Sequence, residues 1–259
     1  MPKSSPAQER AQAGGFTPQH PWDRNFYLVM VALAWLGILR GFGAEIVNHV
    51  TKHKPAFALI VHVHAVVFVA WLVLFTVQVF LVRLRKLSVH KQLGLWLVGL
   101  AGLMVILGPA TALTVQHRSM ADPHGDPGFL SVQFTDILAF ASLTTAALLL
   151  RRRPAAHKRL MLLGTLYITD AGFARWLADG IIARLGDGYW AFWVALYVGP
   201  NVLVLLAGAY DLATRRRQLH PAYLAGAAWI FAVQMLALSL YFSPAWTACA
   251  KRIIAAWPW

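Results

Sequence analysis

The chain is 259 residues long, and 59% of its residues are apolar while only 13% are charged. Soluble domains average about 45–50% apolar and about 25% charged residues, so this composition excludes an ordinary soluble enzyme or binding domain. The formal net charge of +13 raises the question of a nucleic-acid partner. Most of the basic residues, however, lie in short turns between apolar stretches, and we therefore expect no nucleic-acid binding.

Seven apolar stretches follow one another, each close to the roughly 20 residues that a helix needs to cross a bilayer. They cover residues 26–43, 57–82, 93–115, 130–150, 160–182, 189–210 and 222–243. The sequence therefore predicts an all-α polytopic membrane helical bundle of about seven transmembrane helices in a lipid bilayer. We expect residues 1–25 to form a disordered cytoplasmic tail, 26–245 the bundle, and 246–259 a short Trp-rich outer tail.

The basic residues alternate between the two ends of the predicted bundle. The turns at 83–92, 151–159 and 211–221 contain twelve Lys and Arg residues and a single acid, Asp211. The turns at 41–56, 116–129 and 183–188 contain four basic and four acidic residues. Since Lys and Arg concentrate in short cytoplasmic loops, the sequence predicts a cytoplasmic N-terminus and an outer C-terminus.

One pattern occurs twice in the basic turns. His-Lys-x-Leu follows a run of basic residues at 90–93 and again at 157–160, so that the two histidines are 67 residues apart. Two parallel copies of one helix hairpin would produce this repeat, and such repeats often build a site at their interface. Convergence on a basic turn would produce it equally well, and the sequence leaves both explanations open.

Several spaced residues around this repeat carry a resemblance to a known family. They are His64-x3-Phe68-x2-Trp71-x3-Phe75-x2-Gln78, His90-Lys-x-Leu-Gly94, Asp136-x3-Phe140 and Arg153-Pro-x2-His157-Lys-Arg-Leu-Met161. From about residue 55 to residue 180 the chain resembles a family of functionally uncharacterised bacterial polytopic inner-membrane proteins. The resemblance implies a helical bundle in the bacterial inner (plasma) membrane and no particular activity. The arrangement is also loosely similar to that of b561-type membrane cytochromes, whose histidines hold haem near both membrane faces.

The ten histidines divide between the two predicted membrane faces. Imidazole is the commonest metal ligand and also an axial ligand of haem. We therefore predict haem b or a transition metal at two separate sites, one at the outer face formed by His64 with His117 and one at the inner face formed by His90 with His157. Further metal ligands are predicted at the outer face: His49, His53, His62 and His124. For the inner pair, capping of a helix start or contact with lipid phosphate is the alternative.

Ionisable side chains at membrane depth are costly unless they are paired or hydrated, so they mark candidate sites. Four such residues predict a polar cavity that opens outward: Arg40, Asp136, Asp170 and Arg175. Arg175 could instead pair with Asp179, four residues later on the same helix face. Asp170 lies far from any predicted helix end and needs a partner or a proton.

Three functions are compatible with these patterns. The histidines favour a haem- or metal-binding redox or electron-transfer protein, and the polar cavity favours a small proton-coupled transporter. A noncatalytic membrane assembly or sensing component is the third. No hydrolytic or nucleotide-binding motif is present, so the sequence leaves open whether the protein is an enzyme. A stripe of Gly94, Gly99 and Gly102 would allow close packing within the chain or between copies in a homo-oligomer.

Overall fold

The computed structural model describes residues 20–53, 56–120, 122, 123 and 125–258. Helices dominate this part of the chain, because in hydrocarbon every backbone N–H and C=O group must find its partner within the same segment. The α-helices of the described residues are α1 (Asp23–Thr51), α2 (Leu59–Arg83), α3 (Leu87–Ser119), α4 (Leu130–Leu149), α5 (Pro154–Tyr167), α6 (Asp170–Leu185), α7 (Tyr189–Thr214), α8 (Pro221–Tyr241) and α9 (Pro244–Ala255). A short 3₁₀-helix, Pro127–Phe129, precedes α4.

Six of these helices are long and apolar enough to cross a membrane: α1, α2, α3, α4 with its preceding 3₁₀ turn, α7 and α8. The fifth predicted span differs from expectation, because it consists of two consecutive helices, α5 and α6, with 14 and 16 residues. Each is shorter than the roughly 20 residues of a full crossing, and together they exceed it. The all-α multi-pass bundle predicted from the sequence is confirmed.

Proline and capping residues set the start of three helices. Pro154, Pro221 and Pro244 each occupy the first turn of their helix, where a missing N–H costs nothing. Upstream of α8 and α9, His220 Nδ1 and Ser243 Oγ accept backbone N–H groups of those first turns. The segment predicted as a Trp-rich tail therefore contains a capped helix, α9.

The bundle has two chemically different ends. We call the end formed by residues 84–86, 150–153 and 215–220 the basic end, and the opposite one the far end. At the basic end, Asp23 at the start of α1 bonds Lys158 of α5 and Tyr210 of α7. At the far end, α9 packs on the 3₁₀ turn, where the Trp246 indole donates to the Gly128 carbonyl at 3.0 Å. Successive crossings therefore alternate in direction.

The centre of the bundle is formed by α6 packed between α1 and α7, and by α5 packed against α4 and α8. The α2–α3 hairpin lies to one side, against α4 and α1. The approach of α1 to α6 is unusually close, because a Cβ atom on Gly41 would lie 2.0 Å from the Gly172 carbonyl oxygen. The predicted glycine stripe of α3 plays no such role within the chain, since a Cβ on Gly99 or Gly102 would meet nothing within 4 Å.

Candidate functional site

The site begins at the interruption between α5 and α6. Residues 168 and 169 leave the α-helical pattern, and the Thr169 N–H donates to the Leu166 carbonyl, three residues back, at 3.2 Å. Asp170 opens the next helix, and its carboxylate lies beside the N–H group of Ala171. Short polar side chains such as aspartate compete for backbone hydrogen bonds and favour helix starts over helix interiors. Mid-helix 3₁₀ turns of this kind often mark functional hinges.

Two carboxyl groups meet at this interruption. Asp136, on α4, is 9% exposed and Asp170 is 4% exposed. Each is a direct side-chain neighbour of the other. The Tyr167 hydroxyl approaches Asp136, and the ring of Tyr197, from α7, stacks on Tyr167 with ring centroids 6.2 Å apart. The result is a buried group of two acids and two phenols drawn from three crossings.

Three polar atoms of this group lack a direct hydrogen bond to any described residue: Asp136 Oδ1 and the hydroxyl oxygens of Tyr167 and Tyr197. Buried polar atoms without a partner are rare and usually indicate a proton, water or ligand position. Two carboxylates are both acceptors, so their close approach becomes a hydrogen bond only when one of them holds a proton. The geometry can therefore bind and release a proton.

Arg175 lies between these acids and the far end of the bundle. Its Nη1 donates to the Ala171 carbonyl at 2.8 Å, and its guanidinium carbon lies 4.5 Å from the centre of the Phe42 ring. Asp170 and Glu45 are its acidic electrostatic neighbours. The expected pairing with Asp179 is wrong, because no Arg175–Asp179 ion pair occurs among the described residues.

Arg40 was predicted for the polar cavity and His64 for a haem or metal site. Arg40 is exposed and stacks on Trp176, with its guanidinium carbon 5.2 Å from the ring centre. His64 also belongs to the neighbourhood of Arg175, since the two groups interact electrostatically. Its ring stacks on Phe68 at 3.9 Å, and its Nδ1 is buried without a hydrogen-bond partner in the described chain. Asp136, Asp170, Arg175 and His64 are therefore successive electrostatic neighbours.

The predicted inner histidines do come together. The rings of His90 and His157 are 6.5 Å apart between centroids and nearly perpendicular, at 84°. His157 Nδ1 bonds the Ala147 carbonyl at 2.8 Å. His90 Nδ1 is buried and, among the described residues, has no hydrogen-bond partner. The duplicated turns thus place two imidazoles side by side at the basic end.

The predicted outer histidines are more scattered. His117 bonds the Ile254 carbonyl of α9 at 3.0 Å. His49 stacks on Phe57 at 4.1 Å, and His62 meets the same ring edge-on at 6.3 Å. His53 is exposed, and His124 lies outside the described residues. Within the described ranges, no three His, Cys, Asp or Glu side chains are arranged as a metal-binding group. The predicted metal and haem ligation stays a prediction.

The sequence did not predict a cluster of ion pairs that lies at the basic end. Arg159 and Asp211 form a buried bidentate pair, with Nε–Oδ2 at 2.8 Å and Nη2–Oδ1 at 2.5 Å. Beside it, Asp23 bonds Lys158 and Tyr210, and Arg215 lies 3.8 Å from Asp23. One signal was present: Asp211 is the only acid among the twelve basic residues of these turns, so a charge partner could have been expected for it.

No protein-family model, curated protein or solved structure matches this chain. The fold and the side chains themselves are therefore what supports a function. They define a multi-pass membrane protein with an acidic pair at a helix interruption.

Proposed function

We propose that this protein is a small proton-coupled membrane transporter whose cycle loads and unloads a proton at Asp136 and Asp170. The observation that supports it most is the meeting of these two buried carboxyl groups at the interruption between α5 and α6. Transporters commonly place their coupling-ion sites at discontinuous helices near the middle of the membrane. Ionisable groups at that depth are rarely kept without such a role.

The neighbouring groups have distinct parts in this proposal. One carboxyl group holds the proton and donates a hydrogen bond to the other. The Tyr167 hydroxyl lies beside Asp136 and occupies the position that a water molecule would take. Loss of the proton leaves two negative charges side by side, and their repulsion supplies a force that moves α4 and α6 apart.

The orientation follows from the charges of the turns. The basic end faces the cytoplasm of a bacterial cell, because Lys and Arg are retained on that side of the inner membrane. Arg175, Glu45 and His64 then lie on the outer side of the acidic pair. A solute from outside would meet these residues before it reached Asp170.

Infrared spectroscopy of the reconstituted protein, titrated from acid to alkaline pH, tests the proton site directly. The wild type is expected to show a carboxylic-acid C=O band that disappears as the pH rises. Asp136→Asn and Asp170→Asn should each remove or shift this band. Asp179→Asn is the matched control, since Asp179 is an exposed acid on the same helix as Asp170, and it should leave the band unchanged.

The contrary result is equally clear. If the wild-type spectrum contains no titrating band that either Asn variant changes, the acids hold no exchangeable proton and the proposal fails. The two acids would then act in helix packing, as in a noncatalytic assembly or sensing component. Thermal unfolding of both variants in detergent would show that role as lost stability.

The side-by-side histidines at the basic end favour a second candidate, a haem- or metal-binding redox protein. The hydrogen bond that His157 Nδ1–H donates to the Ala147 carbonyl orients the ring and leaves its Nε2 for a ligand, which is the usual arrangement around metal-bound histidine. His90 Nδ1 has no hydrogen-bond partner in the described chain and is also able to ligate. Two imidazoles fit an axial haem pair or part of a metal site, and either group would supply electron transfer.

A visible spectrum of the purified protein, oxidised and then reduced, tests this candidate together with elemental analysis. A haem or metal signal that His157→Ala abolishes and His220→Asn leaves intact would support it, since His220 caps α8 through Nδ1, a role that asparagine also fills. A featureless spectrum without bound metal would remove it.

A further inference from the structure

We propose that Arg175 is the substrate-binding group, and that the substrate is a small organic anion with one carboxylate and an apolar body. This inference rests on the proposed proton-coupled function and deepens it by naming a substrate class. The proposed site lies between the acidic pair and the far end. Three helices contribute to it: α1 with Phe42 and Glu45, α2 with His64 and Phe68, and α6 with Arg175.

Arg175 is equipped to bind an anion in this region. A guanidinium group has five N–H donors. The hydrogen bond that Arg175 makes to a described residue runs from Nη1 to the Ala171 carbonyl of its own helix. Glu45 and Asp170 attract it electrostatically, yet neither comes within the 4.0 Å of an ion pair in the described structure. The planar guanidinium fork matches a carboxylate with two parallel hydrogen bonds.

The surrounding side chains define the rest of the ligand. Phe42 lies against the guanidinium group at 4.5 Å, and Phe68 lies against the His64 ring at 3.9 Å. These aromatic faces would contact an apolar body. His64 Nδ1 is buried without a partner in the described chain and supplies one additional polar contact. Arg175 supplies the cation for one carboxylate, and the proton held at the acidic pair would make the combined transfer electrically neutral.

Arg184 provides a matched control on the same helix. Its Nη1 donates to the Gly180 carbonyl at 2.6 Å, just as Arg175 donates to the Ala171 carbonyl four residues back. Arg184 lies near the far end of α6, beyond the aromatic pair. Arg184→Gln therefore removes the same charge and the same intrahelical bond while leaving the proposed binding region unchanged.

The test is isothermal titration calorimetry of the purified full chain in detergent with three probes: benzoate, benzamide and inorganic phosphate. Benzoate has the carboxylate and the apolar body, benzamide keeps the shape without the charge, and phosphate has the charge without the apolar body. The wild type and Arg184→Gln should bind benzoate and neither other probe. Arg175→Gln should weaken benzoate binding by about tenfold or more, because it loses charge-assisted hydrogen bonds, and Arg175→Lys should recover part of it.

Several results would overturn the inference. Absence of benzoate binding to the wild type excludes this substrate class, and equal binding of benzamide shows adsorption to aromatic surface. Tighter binding of phosphate assigns Arg175 to a different anion, and unchanged binding in Arg175→Gln removes Arg175 from the site. The proton proposal is judged separately, since a titrating carboxylic-acid band without benzoate binding leaves that function standing and rejects only the substrate class.

Discussion

Gly41 and Gly172 are the residues through which the backbones of α1 and α6 touch. A Cβ atom on Gly41 has no space, since it would lie 2.0 Å from a backbone oxygen that cannot move aside alone. We expect Gly41→Ala to force the helices apart and to destabilise the protein by about 1–3 kcal/mol, the usual cost of overpacking. Chemical unfolding in detergent micelles measures this loss.

Gly102→Ala is the control for that prediction. Gly102 lies within α3, and an added Cβ would meet nothing within 4 Å. Because alanine is the better helix former, its effect should be neutral or a gain of up to about 1 kcal/mol. Equal destabilisation by both alanines would show that the glycine contact between α1 and α6 has no special importance.

His220 makes the stability of the protein depend on pH. Its Nδ1 caps the start of α8 by accepting the Ala222 N–H at 3.1 Å, which requires a neutral ring nitrogen. Burial, followed by the charge of Arg159, lowers the pKa of His220 from 6.5 to about 4. The unfolded chain therefore binds a proton at higher pH than the folded chain does, and stability must fall as the pH decreases from about 6.5 to about 4.

Thermal unfolding between pH 7 and pH 4 measures this dependence in detergent. His220→Asn should flatten it, since asparagine caps a helix and does not titrate in this range. An identical pH dependence in the wild type and in His220→Asn would assign the effect to other groups.

At the residue scale, the sequence predicted part of the site for a clear physical reason. Asp136, Asp170 and Arg175 stand out because charge is rare in apolar spans. Tyr167 and Tyr197 could not be recognised, since tyrosine is ordinary in membrane helices and only the fold brings their hydroxyls to the acids. The Arg175–Asp179 pairing failed because helix spacing alone ignores the competing Ala171 carbonyl and the aromatic ring of Phe42.

At the scale of helices, the Arg159–Asp211 pair joins α5 to α7 at the basic end. Both side chains are almost fully buried, at 4% and 3% exposed. Removing one partner leaves an uncompensated buried charge, so Asp211→Ala should cost about 3–5 kcal/mol in unfolding free energy. Unfolding by denaturant in micelles measures the loss, and Asp187→Ala, an exposed acid in a far-end loop, should change little.

A double substitution distinguishes charge from packing in this pair. Arg159→Met combined with Asp211→Leu removes both charges and keeps apolar volume, so it should recover much of the stability lost in Asp211→Ala. A double variant as unstable as Asp211→Ala would show that the hydrogen bonds of the pair, including the one from the His220 N–H at 3.2 Å, are needed themselves.

The multi-pass helical bundle was predictable, because each crossing of the hydrocarbon needs about 20 apolar residues. The interruption within the fifth span was not predicted, since residues 160–169 are mostly apolar and Gly164 lies a turn before the change, inside α5. Asp170, whose short polar side chain favours a helix start, follows the interruption directly. The α9 helix was missed for a related reason: its basic residues, Lys251 and Arg252, obscured a short amphipathic pattern that becomes meaningful only against the far end of the bundle.

For the molecule as a whole, the proposed orientation can be tested with Cys249, the single cysteine of the chain. Cys249 is exposed on α9 at the far end. A membrane-impermeant maleimide should therefore label it in intact cells. In the variant Cys249→Ser with Gln218→Cys, whose new thiol lies at the exposed basic end, labelling should require permeabilised cells. The reverse pattern would mean that the protein inserts in the opposite orientation.

The close contact of Gly41 with Gly172 has a mechanical consequence. No side chain separates α1 from α6 at this level, which is half a turn beyond Asp170, so the contact can serve as a pivot. On one side of the pivot, α5 is tied to α7 and α1 by the ion pairs of Arg159 and Lys158. On the other side, α6 packs along α7 and carries Arg175 toward the far end. A small change in the distance between two carboxyl groups near a pivot becomes a larger displacement farther along the helix, and the far end is where that displacement would open or close a path.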